Sequence, residues 1–251
     1  MIPIELRNVH KKFGRHVVLD GVNFSVSAGE TVALLGPSGS GKSVLLKHII
    51  GLMRPDQGDV LVEGESVPHL PRKALAALRG KIGYAFQTGA LFDSMTVFEN
   101  VRLGISDDRC YRDRTFCMSR VAECLQMVNL SDDVGRLMPA ALSGGMRKRV
   151  GIARAIAGNP KYLLYDEPTS GLDPVNADAM DALIEGLQKR LHATSIVVSH
   201  DVRGSFKIAD RIALLHNGRI RAVGTAEEFM AAKDGVVREF LERDFEFAAG
   251  A

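Results

Sequence analysis

The chain has 251 residues and carries 32 lysines and arginines against 30 aspartates and glutamates, a formal charge of +2. Apolar residues make up 46% and charged residues 25%, the balance of an ordinary globular chain, which excludes intrinsic disorder, collagen and coiled coil as the main organisation. The even charge argues against broad nucleic-acid binding, no run approaches the ~18 apolar residues of a membrane helix, and the start MIPIELRNVHKKF lacks a signal-peptide core. A soluble, cytoplasmic protein is expected.

In chain order, residues 2–9 and 22–26 alternate apolar and polar side chains, which predicts half-buried strands. Residues 31–35 (TVALL) form a continuous apolar run suited to a strand covered on both faces. A glycine-rich turn follows, then a helical segment from Lys42 to about Leu52. Gly51, Pro55 and Gly58 punctuate the chain before a strand over 59–63. From Met95 to Gly158 apolar residues recur at three and four, as in Val121, Cys124, Leu125 and Val128, so this stretch reads as helical and able to form its own subdomain. Within it Cys110, Cys117 and Cys124 are spaced by seven, on one face of a helix. Each step rises about 10 Å, too far for three thiolates to share a metal. Three cysteines are also too few for a disulfide framework, so they are expected as small apolar residues on a buried face. Strand signals return at 162–165, 195–199 and 211–215, with a helical pattern over 178–191 between the first two. Strand, crossover helix and strand imply a parallel sheet with right-handed connections.

The segment Gly36-Pro37-Ser38-Gly39-Ser40-Gly41-Lys42-Ser43 fits the P-loop pattern, with Val44 behind it. Glycines let successive backbone N–H groups turn toward a phosphate without a Cβ in the way. The following helix points its N-terminus at the same anion, but contributes only ~0.3–1 kcal/mol. The Lys42 ammonium is therefore required to neutralise β- and γ-oxygens, and the Ser43 hydroxyl is suited to Mg²⁺. A second signal is Tyr162-Leu163-Leu164-Tyr165-Asp166-Glu167, a buried strand whose end delivers two adjacent carboxylates. Ligands of open α/β sheets bind at the carboxyl ends of strands. Asp166 is assigned to Mg²⁺ and Glu167 to the attacking water. These features describe a Mg²⁺-dependent P-loop NTPase.

Leu142-Ser143-Gly144-Gly145-Met146, ahead of a long helical segment and the Asp-Glu strand, resembles the signature of ABC ATPases. Its hydroxyl and two glycines at a helix start suit a second γ-phosphate site. Other motifs of that family fall in the same order. Gln87 matches the Q-loop residue that watches Mg²⁺ and water and meets the permease, and Ser170-Gly171-Leu172-Asp173 matches the D-loop. His200 matches the switch histidine at the γ-phosphate, and Phe13 the aromatic that stacks on adenine. Two positions depart from the usual pattern: Met146 stands where Gln is usual, and Phe13 lacks the common tyrosine hydroxyl. The resemblance implies an α/β, RecA-like P-loop NTPase core (1–87 and 161–235), with an N-terminal antiparallel β part, an inserted α-helical signature subdomain (88–160) and a C-terminal tail (236–251). It also implies ATP and Mg²⁺ as cofactors and a head-to-tail homodimer. Lys42, Glu167 and His200 are then catalytic, and Ser43, Gln87 and Asp166 hold the metal. Ser143, Gly144, Gly145 and Asp173 join the P-loop and Phe13 at the nucleotide.

The run Gln87-Thr88-Gly89-Ala90-Leu91-Phe92-Asp93-Ser94-Met95-Thr96-Val97-Phe98-Glu99-Asn100-Val101, with Leu137-Met138-Pro139 and the LSGGM signature, resembles the ATP-binding subunit of Mla/Mce-type phospholipid transporters. That likeness runs from Ile4 to Leu241. It implies two integral-membrane permeases, a periplasmic Mce-type lipid-binding subunit, a place on the cytoplasmic face of the bacterial inner membrane, and no nucleic acid. The short C-terminus leaves an accessory small subunit in question. Arg147-Lys148-Arg149 reads as a solvated helix face rather than a nucleotide or headgroup site. The spacing of Val236, Val237, Phe240, Leu241, Phe245 and Phe247 predicts docking on a neighbour. The competing readings are an ABC ATPase for another cargo, such as a solute importer or lipoprotein extractor, and a non-transport ABC protein of repair, translation or division.

Overall fold

The computed structural model describes residues 3–105 and 109–249. From the N-terminus they form β1 (Ile4–Phe13), β2 (His16–Val26), β3 (Thr31–Leu35), α1 (Lys42–Ile49), β4 (Gln57–Val62), β5 (Glu65–Ser66) and α2 (Arg72–Arg79). The middle holds β6 (Ile82–Ala85), α3 (Val97–Arg102), α4 (Arg109–Arg112), α5 (Arg114–Met127), α6 (Gly144–Ile156), β7 (Tyr162–Asp166) and α7 (Pro174–Leu191). The remainder is β8 (Thr194–Val198), α8 (Val202–Ile208), β9 (Arg211–His216), β10 (Arg219–Gly224), α9 (Ala226–Met230) and α10 (Gly235–Ala249). Two compact units result: residues 1–76 with 194–251, and residues 77–193.

The first unit contains an antiparallel sheet in the order β2-β1-β4-β5. Ile4 and Leu6 of β1 are buried, as alternation requires, and Val9 is buried out of that period, while Ile2 lies outside the described residues. The strand continues past Val9 to Phe13, beyond the alternating stretch. Register shifts between Leu6 and Val9 and again toward Lys12 interrupt the period of two, and so hide the rest of the strand from a periodicity argument. In the other sheet of this unit, β3 pairs in parallel with β8 on one side and β9 on the other, and β10 pairs antiparallel with β9. All five residues of β3 are buried, which is why its sequence is continuously apolar.

The tail corrects one expectation. Val237 and Leu241 of α10 belong to a core cluster with Ala33, Leu35, Val202, Ile212, Leu214 and Phe229, and Val236 and Phe240 pack against it. Asp234 accepts the Val236 and Val237 amides at the helix start. An apolar stripe at helical spacing looks the same whether it docks on a partner or on its own sheet; here it covers the chain's own sheet. The side chains of Phe245 and Phe247 lie outside the described residues.

In the second unit β6 and β7 are parallel, with Tyr84 opposite Leu164 and Ala85 opposite Tyr165. The helical stretch is broken by caps. Thr96 and Glu99 form a capping box at α3, and Asp113 accepts the Thr115 and Phe116 amides to start α5. That break corrects the cysteine reading. Cys110 sits on α4 and Cys117 on α5, so they do not share one helix face. Their Cα atoms are 4.6 Å apart, and the two are joined by a disulfide. Cys124 remains a free, buried thiol, pushed up to about 11 by desolvation.

Candidate functional site

In the first unit β3 delivers the chain directly into the phosphate loop. A Cβ at Gly36 would run into the Leu215 carbonyl and lie 2.8 Å from Ser40 Oγ. Gly41, the residue before α1, has φ of +103°, and a Cβ there would come within 2.9 Å of Val18 Cγ1. These two glycines are thus demanded by close approach and by backbone conformation together. Pro37, Ser38 and Gly39 are exposed at the tip, with Ser43 and Val44 half-buried in the first turn of α1. Lys42 is only 4% exposed. Its ammonium donates to the carbonyls of Gly36 at 2.7 Å and Pro37 at 3.0 Å, which curls the lysine back over the loop. Ser40 Oγ is buried without a hydrogen-bond partner, a situation that costs about 1–3 kcal/mol. A phosphate oxygen in the loop would accept from it, so this cradle fits a nucleotide phosphate. His200 is exposed two residues after the end of β8, next to Asp201, which caps α8. Phe13 is 48% exposed at the end of β1, with Lys11 Nζ 5.7 Å from its ring centroid.

In the second unit β7 ends on Asp166, which is 8% exposed and accepts from the Tyr84 hydroxyl at 2.9 Å. Burial first, then the Asp166 charge, push the Tyr84 phenol up, so it stays protonated and donates. Glu167 then takes a left-handed backbone with φ of +50°, uncommon for a residue with a side chain. Its carboxylate accepts from Gln87 Nε2 at 3.0 Å, and the same amide lies 3.2 Å from Ser170 Oγ. The structure thus brings Gln87 and Glu167, 80 residues apart in the chain, to one point.

Gln87 hangs on a loop that is itself fastened. The Arg154 guanidinium of α6 forks onto the carbonyls of Gly89 and Ala90, both at 2.8 Å. Gly151 of the same helix packs so close that a Cβ on it would lie 2.8 Å from Gly89 Cα. Further along, the fully buried Asn100 holds residues 92–96: its Oδ1 accepts the Phe92 amide and its Nδ2 reaches the carbonyls of Phe92, Met95 and Thr96.

Ser143 caps α6, its hydroxyl accepting the Met146 amide at 3.2 Å while retaining a hydrogen to donate. Met146 contributes its main chain to that cap, which Gln at this position would contribute equally. Added Cβ atoms at Gly144 and Gly145 would meet nothing closer than Leu172 Cδ2 at 3.8 Å, so the chain's own described packing does not require glycine there. The Arg147-Lys148-Arg149 triplet is solvated in part, exposed at Arg147 and half-buried at Lys148 and Arg149. The three side chains also donate to the carbonyls of Leu142, Glu167 and Val128 respectively. Asp173 caps α7; its carboxyl is held below the usual range by the Asn176 side chain and then by the Asn176 amide. Sequence reasoning missed Tyr84, Lys148 and Arg154 as parts of the site. Only Tyr84, in a short strand beside the acidic strand, carried a signal that could have found it.

The profile of the ABC transporter family matches residues 19–170. This chain belongs to that family. The intermembrane phospholipid transport system ATP-binding protein MlaF of Haemophilus influenzae is 38% identical over 239 residues, which is 95% of this chain and 90% of that protein. The sulfate/thiosulfate import ATP-binding protein CysA of Synechocystis is 40% identical over 90% of this chain but only 61% of its own length. A dimeric ATP-binding cassette solved in a post-hydrolysis state with ADP and phosphate superposes with a TM-score of 0.78 at 34% identity, covering 88% of this chain and 98% of that one. The chain is an ABC-type ATP hydrolase, the nucleotide-binding subunit of a transporter, with the α/β P-loop cassette fold. Among the described residues no helix is long and apolar enough to cross a membrane.

Proposed function

We propose that this ATPase drives phospholipid movement between bacterial membranes, working as a homodimer on the cytoplasmic face of the inner membrane beneath two permeases and a periplasmic lipid-binding subunit. The observation that carries the lipid reading is the near end-to-end likeness to MlaF, 95% of this chain against 90% of that relative. The likeness to CysA favours a second reading, a solute importer, but leaves more than a third of that relative unmatched.

The chemistry follows from the residues. Lys42 and the P-loop amides hold and neutralise the phosphates, and Phe13 offers an exposed ring to adenine. Ser43, Asp166 and Gln87 would hold Mg²⁺ through the hard oxygen atoms it prefers, and the ion would supply positive charge to the phosphates there. Glu167 orients the attacking water and takes its proton, aided by the Gln87 hydrogen bond. His200 contacts the γ-phosphate. The partner's Ser143, Gly144 and Gly145 supply the opposite wall, and Asp173 lies in the D-loop beside it. The signature glycines, exposed at Gly144 and half-buried at Gly145, are demanded by nothing within the chain's described packing and support an approach from outside the chain. Purification of the subunit with its membrane partners, followed by lipid mass spectrometry, tests the proposal. An integral permease with bound phospholipid upholds it. Bound nucleic acid or ribosomes, or ATPase activity stimulated by a captured solute, overturns it.

A further inference from the structure

We propose that Lys148 is a positioning residue for hydrolysis, fastening the backbone of Glu167 so that its carboxylate keeps its aim. Lys148 lies on α6, two residues past the signature, and its Nζ donates to the Glu167 carbonyl at 3.2 Å. The same oxygen accepts the Ser170 amide at 3.2 Å, so one carbonyl anchors both the turn after β7 and the signature helix. Three further observations make this contact more than a surface tie. First, Glu167 adopts a left-handed backbone, which persists only where its surroundings hold it. Second, the Lys148 ammonium is partly desolvated. Burial pulls its pKa below the ordinary lysine value and the Glu167 charge pulls it back up, so cation and carboxylate feel one another. Third, α6 also fixes the opposite end of the Gln87–Glu167 hydrogen bond, through Arg154 and Gly151 on the Q-loop main chain. Lys148 holds the base's turn and Arg154 holds the loop of its partner, so α6 sets the 3.0 Å distance between Gln87 and Glu167. A shift of the signature helix would therefore reach the reacting water through Lys148.

This inference rests on the reading of Glu167 as general base, and the test separates the two. The full-length protein is compared with Lys148→Met, Lys148→Arg and Glu167→Gln for kcat, KM for ATP, ATP affinity and amide hydrogen exchange at Ser170. Lys148→Met keeps the aliphatic stem and loses the donor. It is expected to lower kcat about tenfold, the lower end of what one charge-assisted hydrogen bond carries. ATP affinity and KM stay within about twofold, and the Ser170 amide exchanges faster. Lys148→Arg, which retains a cationic donor, restores most of the rate. Glu167→Gln abolishes turnover while retaining ATP. The positioning role is refuted if Lys148→Met matches the parent in kcat and exchange, if it weakens ATP affinity as much as kcat, or if Lys148→Arg is no better than Lys148→Met. A Glu167→Gln variant that keeps the parent rate refutes the general-base reading instead.

Discussion

Replacing glycine by alanine in a helix normally stabilises, and α6 and α7 provide a matched pair in which the sign should differ. Alanine exceeds glycine in a helix interior by about 1 kcal/mol. At Gly186 of α7 an added Cβ meets nothing within 4 Å, so the full gain is available. At Gly151 of α6 the same Cβ would lie 2.8 Å from Gly89 Cα and 3.0 Å from Gly89 O. Both are main-chain atoms that cannot rotate away, and overpacking of this kind costs typically ~1–3 kcal/mol. With only main-chain atoms in the way the cost falls in the upper part of that range, about 2–3 kcal/mol, so after the propensity gain Gly151→Ala should lose about 1–2 kcal/mol net. For a chain of this size about 2–4 °C of melting temperature accompanies each kcal/mol. Thermal denaturation should then show Gly151→Ala melting about 2–8 °C below the parent and Gly186→Ala about 2–4 °C above it. Because the displaced backbone carries Gln87, only Gly151→Ala should also lower kcat. Two variants that are equally stable would refute the claim that the Q-loop is seated directly on the signature helix.

Two further outcomes follow from hydrogen bonding and burial. Tyr84→Phe removes a charge-assisted donor from Asp166, an interaction of the order of 1.5–3 kcal/mol. The Mg²⁺ concentration for half-maximal ATPase activity should rise about tenfold, and an unchanged Mg²⁺ titration would contradict Asp166 as metal ligand or Tyr84 as its support. His48 is buried on α1, and desolvation, its first cause, holds the imidazole below the ordinary value of 6.5. As pH falls through that value the unfolded chain takes up a proton that the folded chain refuses, so folding stability declines on the acid side. His48→Leu should show a smaller loss of melting temperature between about pH 7.5 and pH 5.5 than the parent does; parallel curves would rule out this linkage.

Much of the site was legible because phosphate chemistry restricts residue choice. The glycines, Lys42 and Ser43 must stand at fixed offsets between a buried strand and a helix, and β3 and α1 do flank them. Asp166 and Glu167 were readable for the same reason, at the end of five buried strand residues. The supports behind those groups were not legible. Tyr84, Lys148 and Arg154 act on partners 82, 19 and 65 residues away, separations that no local period encodes. The cysteine spacing misled because a seven-residue interval was measured along one helix, whereas Asp113 ends that continuity. The tail misled because an amphipathic helix announces that it must cover something without saying what.

The central claim is that each reaction centre is assembled from two copies, the P-loop of one and the signature of the other. Mixing Lys42→Ala protein with Ser143→Arg protein tests it most directly. Each variant alone should be inactive, and the mixture should regain about a quarter of the parent ATPase rate, because half of the dimers are mixed and each has one intact centre. A mixture as inactive as its components, or Ser143→Arg protein hydrolysing ATP at the parent rate, would contradict it.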